Sequence, residues 1–197
     1  MTQPIEFFER QFQEQIARND FALNPFEEAV LPYLSGGVLD LGCGLGNLSI
    51  AAARKGHAVS ALDGSRIAVD RVNEAANRLG LPLAAYQVDL GSHAIDGDYD
   101  SIVSIGLLMF FSRERARLLL DEIMRHVKAG GIAAINVLTE GTTFLGAMDP
   151  ASHYLFGENE LTDAFKGWEI LLSRHDELPA PENTLKKFHT LVARRLA

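Results

Sequence analysis

The stretch "VLDLGCGLGNLS", Val38 to Ser49, sets three glycines within five residues between an apolar run and a segment of helical character. A strand that must hand over to a helix does not need three glycines to do so. Glycine alone combines a left-handed backbone with the absence of a side chain, so a turn like this permits a tight reversal, close packing or the approach of a ligand. The segments on either side narrow the choice.

Working outward, the chain alternates short apolar strands with helical segments. "VLDL" reads as a strand and Leu48 to Lys55 as a helix ended by Gly56. "AVSALD" is a second strand, followed by a helix from Ser65 to Leu79 that Gly80 stops. "LAAYQVDL" and "DSIVSIG" are a third and a fourth strand, and "RERARLLLDEIMRHV" is a helix. Lys128-Ala129-Gly130-Gly131 then reads as a turn into a fifth strand, "IAAINVLT". This rhythm signals a doubly wound α/β sheet, mostly parallel and covered on both faces. The tail departs from it. "WEILLSRHDEL" and "FHTLVARRL" are strands separated only by "PAPENT", too short for a crossover helix, so they must form an antiparallel hairpin. Ahead of the sheet, "IEFFERQFQEQI" is amphipathic, and Asn24-Pro25 reads as an N-cap with a first-turn proline. A single domain over 1–197 is expected, with a helical cap (1–35), a cofactor-binding core (36–140) and a substrate-side segment with the hairpin (141–197).

The totals exclude several functions. With 197 residues and a net charge of -8, the chain lacks the basic surface that nucleic acid or anionic membrane would want. Cys43 is the only cysteine, so no internal disulfide is possible. No apolar run approaches a membrane span, and "MTQPIEFFERQFQEQ" does not read as a secretory signal, so a cytoplasmic protein is expected. The six histidines show no metal-ligand spacing, and no metal site is expected.

Ligands of open α/β sheets bind beyond the carboxyl ends of the strands. A dinucleotide fingerprint would read G-x-G-x-x-G, but Asn47 stands where its third glycine belongs, and Asp40 would repel a pyrophosphate. S-adenosyl-L-methionine, which carries an amino group and a sulfonium and no phosphate, fits better. Asp63 ends the second strand, where an acid can accept from both ribose hydroxyls, and Asp89 ends the third, where it could accept from an adenine amino group. Each acid alone could be a turn residue; three in register with a glycine turn form a site.

"VLDLGCGLGNLS", "ALDGS", "QVDL", "YDSIVS" and "VKAGG", in that order, resemble the class I S-adenosylmethionine-dependent methyltransferases. The resemblance runs from about Val38 onward. It implies a Rossmann-like seven-stranded sheet whose last strand is antiparallel. It also implies a binding set: Asp40 with the Gly42, Cys43, Gly44, Gly46 and Asn47 turn at the methionine part, and Asp63 with Gly64 and Ser65 at the ribose. Asp89 and Leu90 would hold the adenine, and Ile105 would border the methionine end. Within that class, "SIGLLMFFSRE", "YLFGENELTDAFKGWEI" and "FHTLVAR" are similar to segments of the tellurite-resistance methyltransferases. That family carries a His-Arg pair early in the final hairpin, linked to substrate handling; the equivalent place here is Pro179-Ala180, with Lys186 and Lys187 nearby.

The expected activity is methyl transfer to a small molecule: a thiol, a selenium or tellurium species, or another small anion. "SIGLLMFF" lacks any ionisable residue to serve as a base, which favours a soft or already ionised acceptor. Lys187 and His189, two apart on one strand face, are the candidates for anion capture, with a solvated strand edge as the alternative. Cys43 reads as a packing residue. "LLMFF" is core, with one or two side chains beside the methyl position, and Phe7, Phe8 and Phe12 read as helix packing, with a place over the cofactor as the alternative. Two rival functions stay open: a non-catalytic S-adenosylmethionine-binding module and a dinucleotide-dependent oxidoreductase.

Overall fold

The computed structural model describes residues 3–146, 148–149 and 152–197. Its chain begins with α1 (Gln3–Arg18) and α2 (Pro25–Val30). α2 opens on a capping box: the Asn24 side chain accepts from the N–H groups of Phe26 and Glu27, and Glu27 accepts from the N–H of Asn24. A single 3₁₀ turn, Leu31–Tyr33, continues it. Then come β1 (Gly37–Leu41), α3 (Asn47–Arg54), β2 (Ala58–Asp63), α4 (Arg66–Leu79) and β3 (Leu83–Gln87). Ser65 caps α4 through its side chain, and Gly80 in the left-handed region closes it. β4 (Tyr99–Ile105), α5 (Arg113–His126), β5 (Val127–Leu138), the short α6 (Glu160–Ala164), β6 (Glu169–Ala180) and β7 (Thr184–Arg194) complete the fold.

The seven strands lie in the order β3-β2-β1-β4-β5-β7-β6. β1 to β5 pair in parallel, β7 is antiparallel to β5, and β6 is antiparallel to β7. The hairpin expected from the short "PAPENT" gap is therefore present, but β6 runs through Pro179 and Ala180, and the turn itself is Pro181–Asn183. β6 is an edge strand, where a proline's missing N–H leaves no ladder bond broken. Glu182 and Asn183 supply the left-handed backbone that reverses the chain.

One expected turn is strand instead. Lys128 to Gly131 belongs to β5, because Val127 already pairs with Tyr99 and the irregularity is absorbed between Tyr99 and Ser101. Gly131 makes that possible, since a Cβ there would stand 2.7 Å from the Asp100 carbonyl oxygen. In the third strand pairing stops at Gln87, so Asp89 lies on the loop beyond it.

Alternating side chains divide the core between the two faces of the sheet. Val38, Val103, Ala134 and Val192 pack against Leu48, Val69 and Val72 of α3 and α4. On the other face Leu39, Ile102, Ile135 and Leu191 pack against Leu119, Leu120 and Ile123 of α5, with Phe156, Leu161 and Phe165. Among the described residues no helix is long and apolar enough to cross a membrane. None of them forms a group of three or more His, Cys, Asp or Glu that could hold a metal ion.

Candidate functional site

Beyond the carboxyl ends of β1, β2 and β4 lies a cavity of about 720 Å³. β1 contributes Asp40 to its lining, the turn after it Gly42, Cys43 and Gly44, and the start of α3 Asn47; Asp63 comes from the end of β2, and Gly64 and Ser65 from the turn beyond it. Asp89 and Leu90 line it from the loop after β3, and Ile105 from the end of β4. The sequence-derived set thus converges on one space, with one departure. Gly46 does not line the cavity. A Cβ on it would overlap Cγ2 of Val72, so its bareness lets the start of α3 pack on α4. The opening turn serves two purposes: Gly44 faces the cavity side, with only the Phe12 ring 3.4 Å from a Cβ placed on it, while Gly46 serves packing.

Asp63 ties the site together. One carboxylate oxygen accepts from the Gly44 N–H and the other from the Ser65 N–H, both at 2.8 Å. Burial raises its pKa, and these backbone donors partly offset the rise. Asp40 lies deeper, 3% exposed, and accepts from the Ser49 hydroxyl at 2.6 Å. Its pKa is pushed up to about 7, first by burial and then, against the Ser49 bond, by the charges of Glu27 and Asp63. Asp89 is exposed; its carboxylate accepts from the Gly91 N–H and the Ser92 hydroxyl, each at 2.9 Å. Cys43 is buried, and its thiol is held well above the ordinary value by that burial and by Asp40 and Asp63, which makes it an inert packing group.

The "LLMFF" segment splits. Leu108 and Met109 are buried in the core, whereas Leu107, Phe110 and Phe111 line the cavity. The roof is α1: Ile5, Phe8 and Phe12 face the cavity, and the Phe8 ring meets Phe110 edge-on at 5.1 Å between centroids. Phe8 and Phe12 thus take the alternative place over the site instead of serving helix packing alone, whereas Phe7 does not line the space. Sequence reasoning also missed Asn24, Glu27 and Arg115. The capping-box pattern marked Asn24 and Glu27 as a helix start, which conceals that the same carboxylate reaches the site.

Lys187 and His189 do not reach the cavity. β7 is separated from β4 by β5, and the segment after β5 stands against it: Thr139 donates to the Lys187 carbonyl, and a Cβ on Gly141 would touch the Lys187 stem at 3.2 Å. The Lys187 ammonium pairs with Glu177 at 2.7 Å. His189 is fully buried, stacked on His175 at 4.1 Å, with its Nε2 2.9 Å from the Ser173 hydroxyl. Lys186 points elsewhere, over the Phe144 ring at 4.4 Å. Pro179 and Ala180 also lie outside the lining.

The sheet order and the position of the cavity define a seven-stranded Rossmann-like fold of the methyltransferase type. Solved structures agree. The crystal structure of TehB from Haemophilus influenzae superposes with a TM-score of 0.77 at 26% identity, covering 92% of this chain and 65% of that one. A Burkholderia thailandensis 1,6-didemethyltoxoflavin-N1-methyltransferase, with S-adenosylhomocysteine bound, shares the fold at a TM-score of 0.73 and 19% identity over 98% of this chain and 87% of that one. In sequence, a probable S-adenosyl-L-methionine-dependent methyltransferase TehB of Haemophilus influenzae (strain 10810) is 32% identical over 167 residues, 80% of this chain. A cypemycin N-terminal methyltransferase from Streptomyces is 34% identical over 116 residues, 58% of this chain and 42% of its own. The sequence model of the family described as tellurite resistance protein TehB matches residues 3–180. The chain belongs to that family. It spans 57% of the length of the Haemophilus relative.

Proposed function

We propose that this protein is an S-adenosyl-L-methionine-dependent methyltransferase acting on a small molecule, with the cofactor in the cavity at the carboxyl ends of β1, β2 and β4. The observation that carries the reading is the charge of that cavity: Asp40, Asp63 and Asp89 ring the glycine turn. Among the described lining residues Arg115 is the one cationic side chain, and its guanidinium donates to the carbonyls of Leu90 and His93 and pairs with Glu122. A dinucleotide's phosphates would meet carboxylates there, whereas an amino group and a sulfonium would relieve their mutual repulsion.

The residues present fit the cofactor. Asp63 spends one acceptor position per oxygen on the backbone, and a carboxylate has about four, so both oxygens can still take ribose hydroxyls. The buried Asp40 carboxylate supplies negative charge at the methionine end. Leu90, Ile105 and Leu107 offer apolar contact, and Ile5, Phe8 and Phe12 of α1 add an apolar roof. The cofactor supplies an activated methyl group; the chain's part is alignment and a dry, shaped cavity. A volume of about 720 Å³ leaves room for a small acceptor as well. The reading includes action as one domain, 1–197, and in the cytoplasm, the latter supported by a single, buried cysteine.

Calorimetry tests the cofactor. S-adenosylmethionine and S-adenosylhomocysteine should bind, with NAD and ATP much weaker; comparable NAD affinity would overturn the assignment. Release of S-adenosylhomocysteine with any acceptor separates an enzyme from a binding module.

A further inference from the structure

The acceptor's chemistry can be taken further from the lining of the same cavity. Phe8 and Phe12 on α1 lie 5.9 Å apart in stacked orientation, and Phe110 meets Phe8 edge-on. All three face the cavity, and so does Glu27 from α2. Aromatic faces carry a negative quadrupole that attracts cations and repels anions. The one cationic side chain among the described lining residues is Arg115, already held by two carbonyls and Glu122. Apart from the sulfonium that the cofactor would bring, an oxyanion would therefore enter a space of carboxylates and aromatic side chains with no unengaged protein cation to receive it. An ammonium on an apolar body would meet a carboxylate for its charge and rings for its body.

We propose that the methyl acceptor is a small primary or secondary amine carried on an apolar or aromatic body, received by the Glu27 carboxylate and the rings of Phe8, Phe12 and Phe110. The proposal rests on the cofactor assignment above. The amine enters protonated and passes one proton to the Glu27 carboxylate. Its freed lone pair then attacks the methyl carbon: the N–C bond forms as the S–C bond breaks, and the sulfur keeps the bonding pair and leaves as a neutral thioether. The methylated nitrogen departs as an ammonium, and Glu27 returns its proton to solvent. Burial raises the Glu27 carboxyl above the usual range, which brings it closer to the amine and makes the proton transfer less uphill.

Glu27→Gln is a clean probe, because glutamine at this position can still accept the Asn24 N–H that closes the capping box. The purified protein is given S-adenosylmethionine with benzylamine, phenethylamine or tryptamine, and in parallel with selenite, tellurite or an alkyl thiol. Products are read by mass spectrometry. At least one amine should be methylated, with kcat/KM at least about tenfold above the oxyanions and the thiol. Glu27→Gln should lower that value by about tenfold or more, chiefly in kcat, while S-adenosylhomocysteine affinity stays within about threefold. Normal S-adenosylhomocysteine binding with no amine turnover, or with faster turnover of oxyanion or thiol, overturns the amine acceptor and leaves the cofactor assignment intact. An undiminished amine rate in Glu27→Gln removes the proposed role of Glu27. Failure of the wild-type protein to bind S-adenosylhomocysteine overturns the cofactor assignment and this inference together.

Discussion

The carboxylate of Asp63 accepts the backbone N–H of Gly44 at 2.8 Å, joining the end of β2 to the turn after β1. A residue expected to bind a ligand is thus also the brace of the turn that shapes the ligand's site, and its partner oxygen anchors Ser65 at the start of α4. Asp63→Ala leaves two backbone donors without their acceptor. Stability should fall by about 1–3 kcal/mol and S-adenosylhomocysteine affinity by at least about tenfold. Asp63→Asn keeps one acceptor oxygen and should recover more stability than affinity. Thermal melts and calorimetry on both variants check this; an unchanged dissociation constant in Asp63→Ala would mean the ribose lies elsewhere.

The Asp40 carboxyl gives the free protein a characteristic pH dependence. Its folded pKa of about 7 lies above the ordinary 3.8, so between those values the folded state holds a proton that the unfolded chain releases. Its contribution to stability is full below the lower value and is lost as pH rises through about 7, amounting to a few kcal/mol in order of magnitude. Asp40→Asn should flatten the melting temperature between pH 5 and pH 8 while abolishing tight cofactor binding. In the wild type, binding a cationic ligand near pH 6 should expel a proton, seen as a buffer-dependent calorimetric enthalpy. No buffer dependence would place the ligand's positive charge away from Asp40.

Gly44 and Gly46 should fail differently. Both have left-handed backbone, at φ +52° and φ +73°, so alanine at either costs about 1–2 kcal/mol in backbone strain alone. Gly46→Ala must also displace Val72, and should destabilise much more, with partial rescue by Val72→Ala. Gly44→Ala should leave a folded protein with weakened cofactor binding. Similar melting temperatures for the two variants would contradict the separate roles.

His189 should behave as a core residue. Burial, then the neighbouring His175, lowers its pKa to about 4, so the unfolded chain takes up the extra proton first. The stability attached to the neutral ring is full above the ordinary 6.5 and is lost as pH falls towards about 4. His189→Ala should cost on the order of 2 kcal/mol or more and leave S-adenosylhomocysteine affinity unchanged. Lys187→Ala should do little to either, its ion pair with Glu177 being partly solvated. A large loss of turnover with intact stability in His189→Ala would restore a place for this strand in the chemistry.

What the sequence determined by itself is whatever local periodicity and chain length dictate. Strand-turn-helix alternation defined the parallel sheet, the short gap after "WEILLSRHDEL" required an antiparallel hairpin, and acids at or just past the ends of successive strands marked the ligand side. These features need no knowledge of distant residues, because a backbone of fixed rise and reach allows few alternatives. The tertiary structure alone decided which distant residues share a space. It laid Phe12 over the glycine turn and Phe8 against Phe110, brought the capping residue Glu27 into the cavity, and set Gly46 against Val72 instead of the ligand. It also withdrew Lys187 and His189, since strand alternation gives the face of a side chain but not how many strands stand between it and the site. Contacts across the sheet and between helices leave no periodic mark in the chain, and only close packing of the whole resolves them.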